Sequence, residues 1–183
     1  VGTFSGVNAD YTDEAGNIIP QIYHGKTRSE RHEELLNFSI KGSIHQARKA
    51  HEVSNGQGRI HMNVLWEMGG CERVLHGILE GAPGLVHGVT CGAGMPYKVA
   101  EICARYGVYY YPIVSSARAF RALWLRAYKK FPEWLGAVVY EDPWLAGGHN
   151  GLSNSEDPEK PEDPYPRIKE LREMMNSFGL NAT

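Results

Sequence analysis

One histidine stands where chemistry is easiest to place. His149 lies in Ala146-Gly147-Gly148-His149-Asn150-Gly151. Paired glycines let a backbone approach a flat ligand closely, and an imidazole beside them can take or hold a proton near neutral pH. The same residue also reads as a loop histidine bonding backbone carbonyls, and position alone leaves both readings open. Three other segments carry polar side chains that could meet a ligand. Asn63, in His61-Met62-Asn63-Val64-Leu65-Trp66, is either a ligand contact or the partner of a buried backbone group. Thr90-Cys91-Gly92-Ala93-Gly94-Met95-Pro96 is either a cradle for a cofactor edge or an ordinary strand-to-helix turn. Cys91 within it has no obvious neighbouring base to make it a nucleophile. Ser115 and Ser116 read most simply as caps of the following helix.

The remaining polar clusters carry less. Glu141 and Asp142 with His149 lack the helix-face spacing of a metal site, and no metal is expected. His45 and His51 are six apart and share no helix face, while His76 reads as helical and His87 as part of a buried strand. His24 and His32 stand in polar surroundings. Trp124, Arg126, Lys129 and Lys130 alternate with Leu123, Ala127 and Phe131, the pattern of one amphipathic helix with a wet face and not of a nucleic-acid surface.

The elements that must position these residues come in a regular order. An opening strand, Val1 to Val7, leads into a polar loop from Asn8 to Lys26. Thr27-Arg28-Ser29-Glu30 has capping-box spacing, and Leu36, Ile40, Ile44 and Ala47 then mark one face of a helix that ends at the turn Ser54 to Gly58. Strands are predicted over Arg59–Trp66, Gly84–Thr90, Val108–Val114 and Leu135–Glu141. Helices are predicted over Cys71–Gly81, from Met95-Pro96 through Cys103, and through Phe120, Leu123, Ala127 and Phe131. A long loop from Asp142 to Tyr165, with a Pro-, Glu- and Asp-rich half over Ser153–Pro164 that reads as a solvated lid, precedes a last helix carrying Ile168, Leu171, Met175 and Phe178.

Strand starts near 59, 84, 108 and 135 repeat at intervals of roughly 25 residues, each strand followed by a helix. That alternation predicts a parallel sheet, with ligands at the carboxyl ends of the strands. Pro112 is the one misfit, because inside a strand it removes a ladder hydrogen bond or marks a bulge. No G-x-G-x-x-G opens a helix, which argues against a dinucleotide fold. The period alone does not separate a doubly wound sheet from a barrel.

Composition sets outer limits. The 183 residues carry a formal net charge of −2, with 42 % apolar and 22 % charged residues. These values describe one globular domain and exclude a disordered tail or a strongly basic nucleic-acid binder. No run approaches the roughly 18 apolar residues of a membrane span. The three cysteines, Cys71, Cys91 and Cys103, form no C-x-x-C pair, so a cytoplasmic setting is expected. An eight-unit barrel needs about 250 residues. The expected reading is therefore an incomplete (β/α)8 TIM barrel, about five of eight βα units, with both ends of the chain cut.

The order Met62-Asn63-Val64-Leu65, Thr90 to Pro96, Tyr111-Pro112-Ile113-Val114-Ser115-Ser116 and Ala146 to Gly151 closely resembles the nitronate monooxygenase (2-nitropropane dioxygenase) family. The opening Gly2-Thr3-Phe4-Ser5-Gly6-Val7 resembles that family's second strand and loop. The resemblance implies residues 1–183 as the central part of one flavin-binding TIM-barrel domain with FMN as cofactor. It implies His149 as the catalytic histidine at the flavin face, Asn63 as an FMN contact, and Gly147 and Gly148 as the glycines beside the flavin. Thr90, Gly92 and Gly94 match the family's active-site turn, and Ser115 stands at a strand end facing the cofactor. Many members have an acidic residue directly before A-G-G-H, where this chain has Pro143-Trp144-Leu145. The segments Asn8–Lys26 and Ser153–Pro164 are longer than in short bacterial members. The family's first and last strands, with the phosphate grip of the late loops, are expected outside this chain.

The activity so implied is FMN-dependent oxidation of alkyl nitronates or nitroalkanes by O2 to carbonyl compound and nitrite, with no nucleic-acid or membrane partner. A nitronate is an anion spread over two oxygens beside a carbon. Neutral His149 could remove the acidic C–H of a nitroalkane, and its protonated form could hold the anion. Two alternatives stand beside this one. The similar flavin barrels of enoyl-acyl-carrier-protein reductase II and of NADH:quinone reductases share the A-G-G-H region; the other alternative is an inactive 183-residue piece that retains no flavin.

Overall fold

A computed structural model of the chain describes the backbone of residues 2–5 and all of residues 11–147 and 150–183. The chain divides into two compact units, residues 1–64 with 68–89 and residues 65–67 with 90–183.

The first unit opens with β1 (Gly2–Ser5), paired in parallel with β2 (Ile60–Leu65) in the register Gly2 to Ile60 through Ser5 to Asn63. Between them runs α1 (Arg28–Val53), which starts where the capping box predicts. The Thr27 hydroxyl accepts from the Glu30 N–H at 3.1 Å, and the Glu30 carboxylate accepts from the Thr27 N–H at 2.8 Å. The predicted apolar face of α1 packs on α2 (Cys71–Gly81). A Cβ placed at Gly70, Gly77 or Gly81 would fall inside contact distance of Leu36, Ile40 or Ile44 respectively. The helices touch backbone to side chain because those three positions carry none. Ser39, Ser43 and Ala47, four apart on α1, are buried. The polar loop has structure that the sequence reading missed: Thr12 and Ile18 form an antiparallel bridge around a turn in which Asp13 accepts from the Asn17 N–H at 2.8 Å.

In the second unit β3 (Gly88–Gly92, its last three residues here) leads through α3 (Val99–Tyr106) to β4 (Tyr109–Val114), then α4 (Ala117–Arg126), β5 (Val139–Tyr140) and α5 (Pro164–Ser177). Its core is aromatic. Tyr110 and Tyr128 lie with ring centroids 4.8 Å apart, their hydroxyls donating to the carbonyls of Phe131 at 3.2 Å and Pro96 at 3.0 Å. Burial pushes the Tyr110 and Tyr128 hydroxyls well above the usual tyrosine range. Both therefore act as neutral donors. Phe120, Trp124 and Phe178 stack in sequence and join α4 to α5.

Several boundaries differ from those predicted. The strand expected over Gly84–Thr90 is β3 at Gly88–Gly92, because Gly84, at φ 74°, belongs to the preceding turn. That places His87 just before the strand, half-buried, its Nδ1 accepting from the Ile60 N–H at 3.1 Å. The helix expected from Met95-Pro96 starts at Val99, with the Val99 N–H donating to the Pro96 carbonyl at 3.2 Å. α4 stops at Arg126, and Phe131 falls between two short 3-10 turns, 128–130 and 132–134. The strand expected over Leu135–Glu141 shrinks to Val139–Tyr140 plus a bridge from Leu135 to Tyr110. Its pairing explains this. Tyr110 faces Leu135, but Ile113 faces Val139, so the β5 side holds one extra residue across the span that contains Pro112. A bulge opposite a residue without an N–H leaves no ladder bond unmade.

Hydrogen bonds order the strands as they follow in the chain, β1-β2-β3-β4-β5. Bonds from the His87 N–H to Ile60 and from the Trp66 N–H to Gly92 advance together along β2 and β3, which makes that pair parallel, as are β1 with β2 and β4 with β5. A doubly wound sheet reverses its order at a switch point. This one never does, and its order is that of an incomplete (β/α)8 barrel.

Candidate active site

The predicted segments Thr90–Pro96, Ser115-Ser116 and Ala146–Gly151 belong to the second unit and follow β3, β4 and β5 in turn. After β3 the chain turns through Ala93, at φ 57°, and Gly94, at φ 100°. An alanine in the left-handed region costs about 1–2 kcal/mol, which neighbouring bonds must hold. The Trp66 N–H donates to the Gly92 carbonyl at 2.8 Å, and the Glu67 N–H to the Ala93 carbonyl at 3.1 Å. Gly94 is required here by its φ of 100°, which L side chains rarely adopt, and a Cβ on it would also press on Glu67 Cγ at 2.7 Å. Glu67, an exposed carboxylate against this turn, went unremarked in the sequence; its contact with Gly94 spans 27 positions and leaves no local signal. Thr90 is half-buried, and Gly92 closes β3.

Cys91 is fully buried in β3. After β4 the capping role falls to Ser116 alone, whose hydroxyl accepts from the Ala119 N–H at 3.2 Å. The expectation that both serines cap is corrected to that extent. The Ser115 hydroxyl, half-buried, makes no hydrogen bond among the described residues.

Beyond β5 the loop is built on carboxylates. Glu141 accepts from the Gly147 N–H at 3.2 Å through Oε1 and from the Asn150 N–H at 2.7 Å through Oε2. The Asn150 side chain donates to the Ile113 carbonyl of β4 at 3.1 Å. Asp142 Oδ1 accepts from the Trp144 N–H at 2.9 Å. Both acids are thus engaged with backbone, and no group of three or more His, Cys, Asp or Glu suited to a metal occurs among the described residues. A Cβ at Gly147 would meet nothing within 4 Å, so the space over that residue is open. Gly148 and His149 lie outside the described residues. Leu145 stands 86 % exposed just before this segment.

The Ser153–Pro164 segment, expected to be solvated, is anchored at one residue. Arg167 pairs with Glu156 at 2.6 Å and Glu162 at 2.9 Å, and its guanidinium lies 4.9 Å from the centre of the Trp144 ring. The Trp144 indole donates to the Asp157 carbonyl at 2.9 Å. Hydrogen bonding from the Ser153 backbone, aided by Arg167, holds the Glu156 carboxyl below its ordinary range. Asn63 belongs to the first unit, half-buried on β2. Of the other histidines, His45 bonds Thr12 Oγ1 at 2.6 Å and His61 is buried.

No protein-family model matches the chain, and no curated protein does. Among solved structures it is similar to FabK from Thermotoga maritima, at 17 % identity and a TM-score of 0.50, covering 72 % of this chain and 36 % of that one. A point mutant of the same FabK gives the same identity and TM-score, with 38 % of its length covered. The chain thus spans little more than a third of the structures it resembles, and the likeness is one of fold. No helix among the described residues is long and apolar enough to cross a membrane.

Proposed function

We propose that this chain forms part of an FMN-dependent oxidoreductase that oxidises alkyl nitronates or nitroalkanes with O2 to carbonyl compound and nitrite. The supporting observation is placement. The segments that resemble the nitronate monooxygenase family run from within β3 and β4 past their carboxyl ends at Thr90–Pro96 and Tyr111–Ser116, and Ala146–Gly151 comes in the chain after β5, and barrels of this type carry their chemistry beyond the carboxyl ends of the strands.

The described residues suit a flat, polar-edged group. Gly147 leaves its face open, the Ser115 hydroxyl has no partner among the described residues, and Thr90 is half-buried at β3. In this reading Thr90, Gly92, Gly147, Gly148 and Ser115 hold FMN, and Asn63, in the first unit, is tested by itself. FMN when bound supplies the electron-accepting chemistry that no side chain can. His149 takes the proton from the carbon of a nitroalkane, or in protonated form holds the nitronate. Two nitronates and one O2 yield two carbonyl compounds and two nitrites.

A second reading has its own support: the likeness to the FabK structures favours a flavin barrel of the enoyl-acyl-carrier-protein reductase type. Anaerobic rapid mixing of the full-length, FMN-loaded protein separates the two. Bleaching of the flavin band by ethyl nitronate but not by NADH or NADPH is expected. Fast bleaching by a nicotinamide with none by nitronate transfers the assignment to the reductases, and a protein that takes up no FMN refutes both.

A further inference from the structure

We infer that Glu141 is a positioning residue for His149, its carboxylate holding Gly147 and Asn150, the residues on either side of Gly148-His149; the inference rests on the flavin-enzyme reading above. Gly147 and Asn150 bracket Gly148-His149 in the chain, and both donate their N–H to the same carboxylate, at 3.2 and 2.7 Å. Three peptide links join the anchors, about 11 Å at full stretch.

The base of the clamp is itself supported. Glu141 directly follows β5, and its own N–H donates to the Val114 carbonyl at 3.0 Å. The Asn150 side chain reaches the neighbouring strand through the Ile113 carbonyl. Glu141 and Asn150 are thus both tied to the neighbouring strand β4.

The residue type follows from the task. An ionised carboxylate is acceptor-only and offers both oxygens, as two converging N–H donors require. Glutamine keeps one acceptor and turns an NH2 toward the other donor. Aspartate, one methylene shorter, cannot span the same pair from the same backbone.

The test uses the full-length protein with added FMN, ethyl nitronate as probe, and Glu141→Gln beside Glu141→Ala, His149→Ala and the double variant Glu141→Gln/His149→Ala. Displacing a reacting group by about 1 Å costs on the order of 100-fold in rate. Glu141→Gln is accordingly expected to lose about that factor in kcat, with FMN retained and KM changed little. In the His149→Ala background the same change should have no further effect on kcat, since it acts through that histidine. Losses that multiply in the double variant, or a Glu141→Gln protein with wild-type kcat, would overturn the inference. Amide exchange at Gly147 and Asn150 judges the clamp without turnover: faster exchange in Glu141→Gln supports it, and unchanged exchange refutes it. A wild-type protein without flavin or turnover refutes the enzyme reading and the positioning role with it, while the exchange result still decides whether the clamp exists.

Discussion

The helix pair of the first unit and the loop beyond β5 in the second are held in different proportions by packing and by directed bonds. α1 and α2 meet through Leu36, Ile40 and Ile44 seated over glycines, a contact of shape and apolar area, with Arg73 of α2 bonded to Glu33 and Asn37 of α1 at its exposed rim. The loop from Glu141 to Asp163 is held, among its described residues, by directed bonds to charged groups, Glu141, Asp142, Glu156 and Arg167 among them. Packing over glycine tolerates no added atom but is indifferent to charge. A carboxylate clamp tolerates neighbouring bulk but fails when one oxygen loses its lone pairs. Hydrogen bonds to charged groups are the stronger kind, and they serve where apolar packing is sparse.

That contrast can be broken in order of effect. Gly77→Val drives new atoms into the body of Ile40, whose Cδ1, Cγ1 and Cγ2 already lie 2.7–2.9 Å from where a Cβ would stand. It should cost about 2–3 kcal/mol in denaturant unfolding, without altering amide exchange at Gly147 or Asn150. Arg167→Ala should do the reverse, loosening Ser153–Asp163 in exchange measurements while costing about 1–2 kcal/mol. Thr27→Ala removes one half of the capping box and should cost about 1 kcal/mol, confined to α1. Salt sharpens the same division, since added chloride should speed exchange in the Arg167-anchored loop and touch the α1–α2 contact only at its exposed Arg73–Glu33 pair.

The smallest expected effect is one of pH. Burial is the main cause that holds His61 and His87 below the ordinary histidine value of 6.5. Neutral histidine is therefore favoured in the folded chain. Their contribution is fully present above pH 6.5 and is lost as pH falls from there through their lower folded-state values. Thermal unfolding followed downward from neutral pH should show this loss, and His87→Asn, which keeps an acceptor for the Ile60 N–H, should lessen it.

Local pattern made the alternation of strand and helix legible. Val108–Val114 and Ile60–Leu65 are apolar enough to show as buried strands, and Thr27 with Glu30 announced the start of α1 to the residue. What depended on distant partners was not legible. α4 ends early because Tyr128 leaves the helix to bond the Pro96 carbonyl, 32 positions away. β5 is short because its partner strand carries Pro112 beside a one-residue slip in register. At the site, the glycines and strand-end positions could be read from spacing. Glu141, however, looked like a poor metal ligand, since nothing in the sequence indicates that its carboxylate turns back onto the loop that follows it.

The central claim is that His149 does chemistry beside a bound flavin. The direct measurement is turnover of ethyl nitronate by the full-length, FMN-loaded His149→Ala protein, with its flavin absorbance recorded on the same sample. Retained flavin with kcat lowered by about 100-fold or more is the predicted result. Retained flavin with unchanged kcat would contradict it.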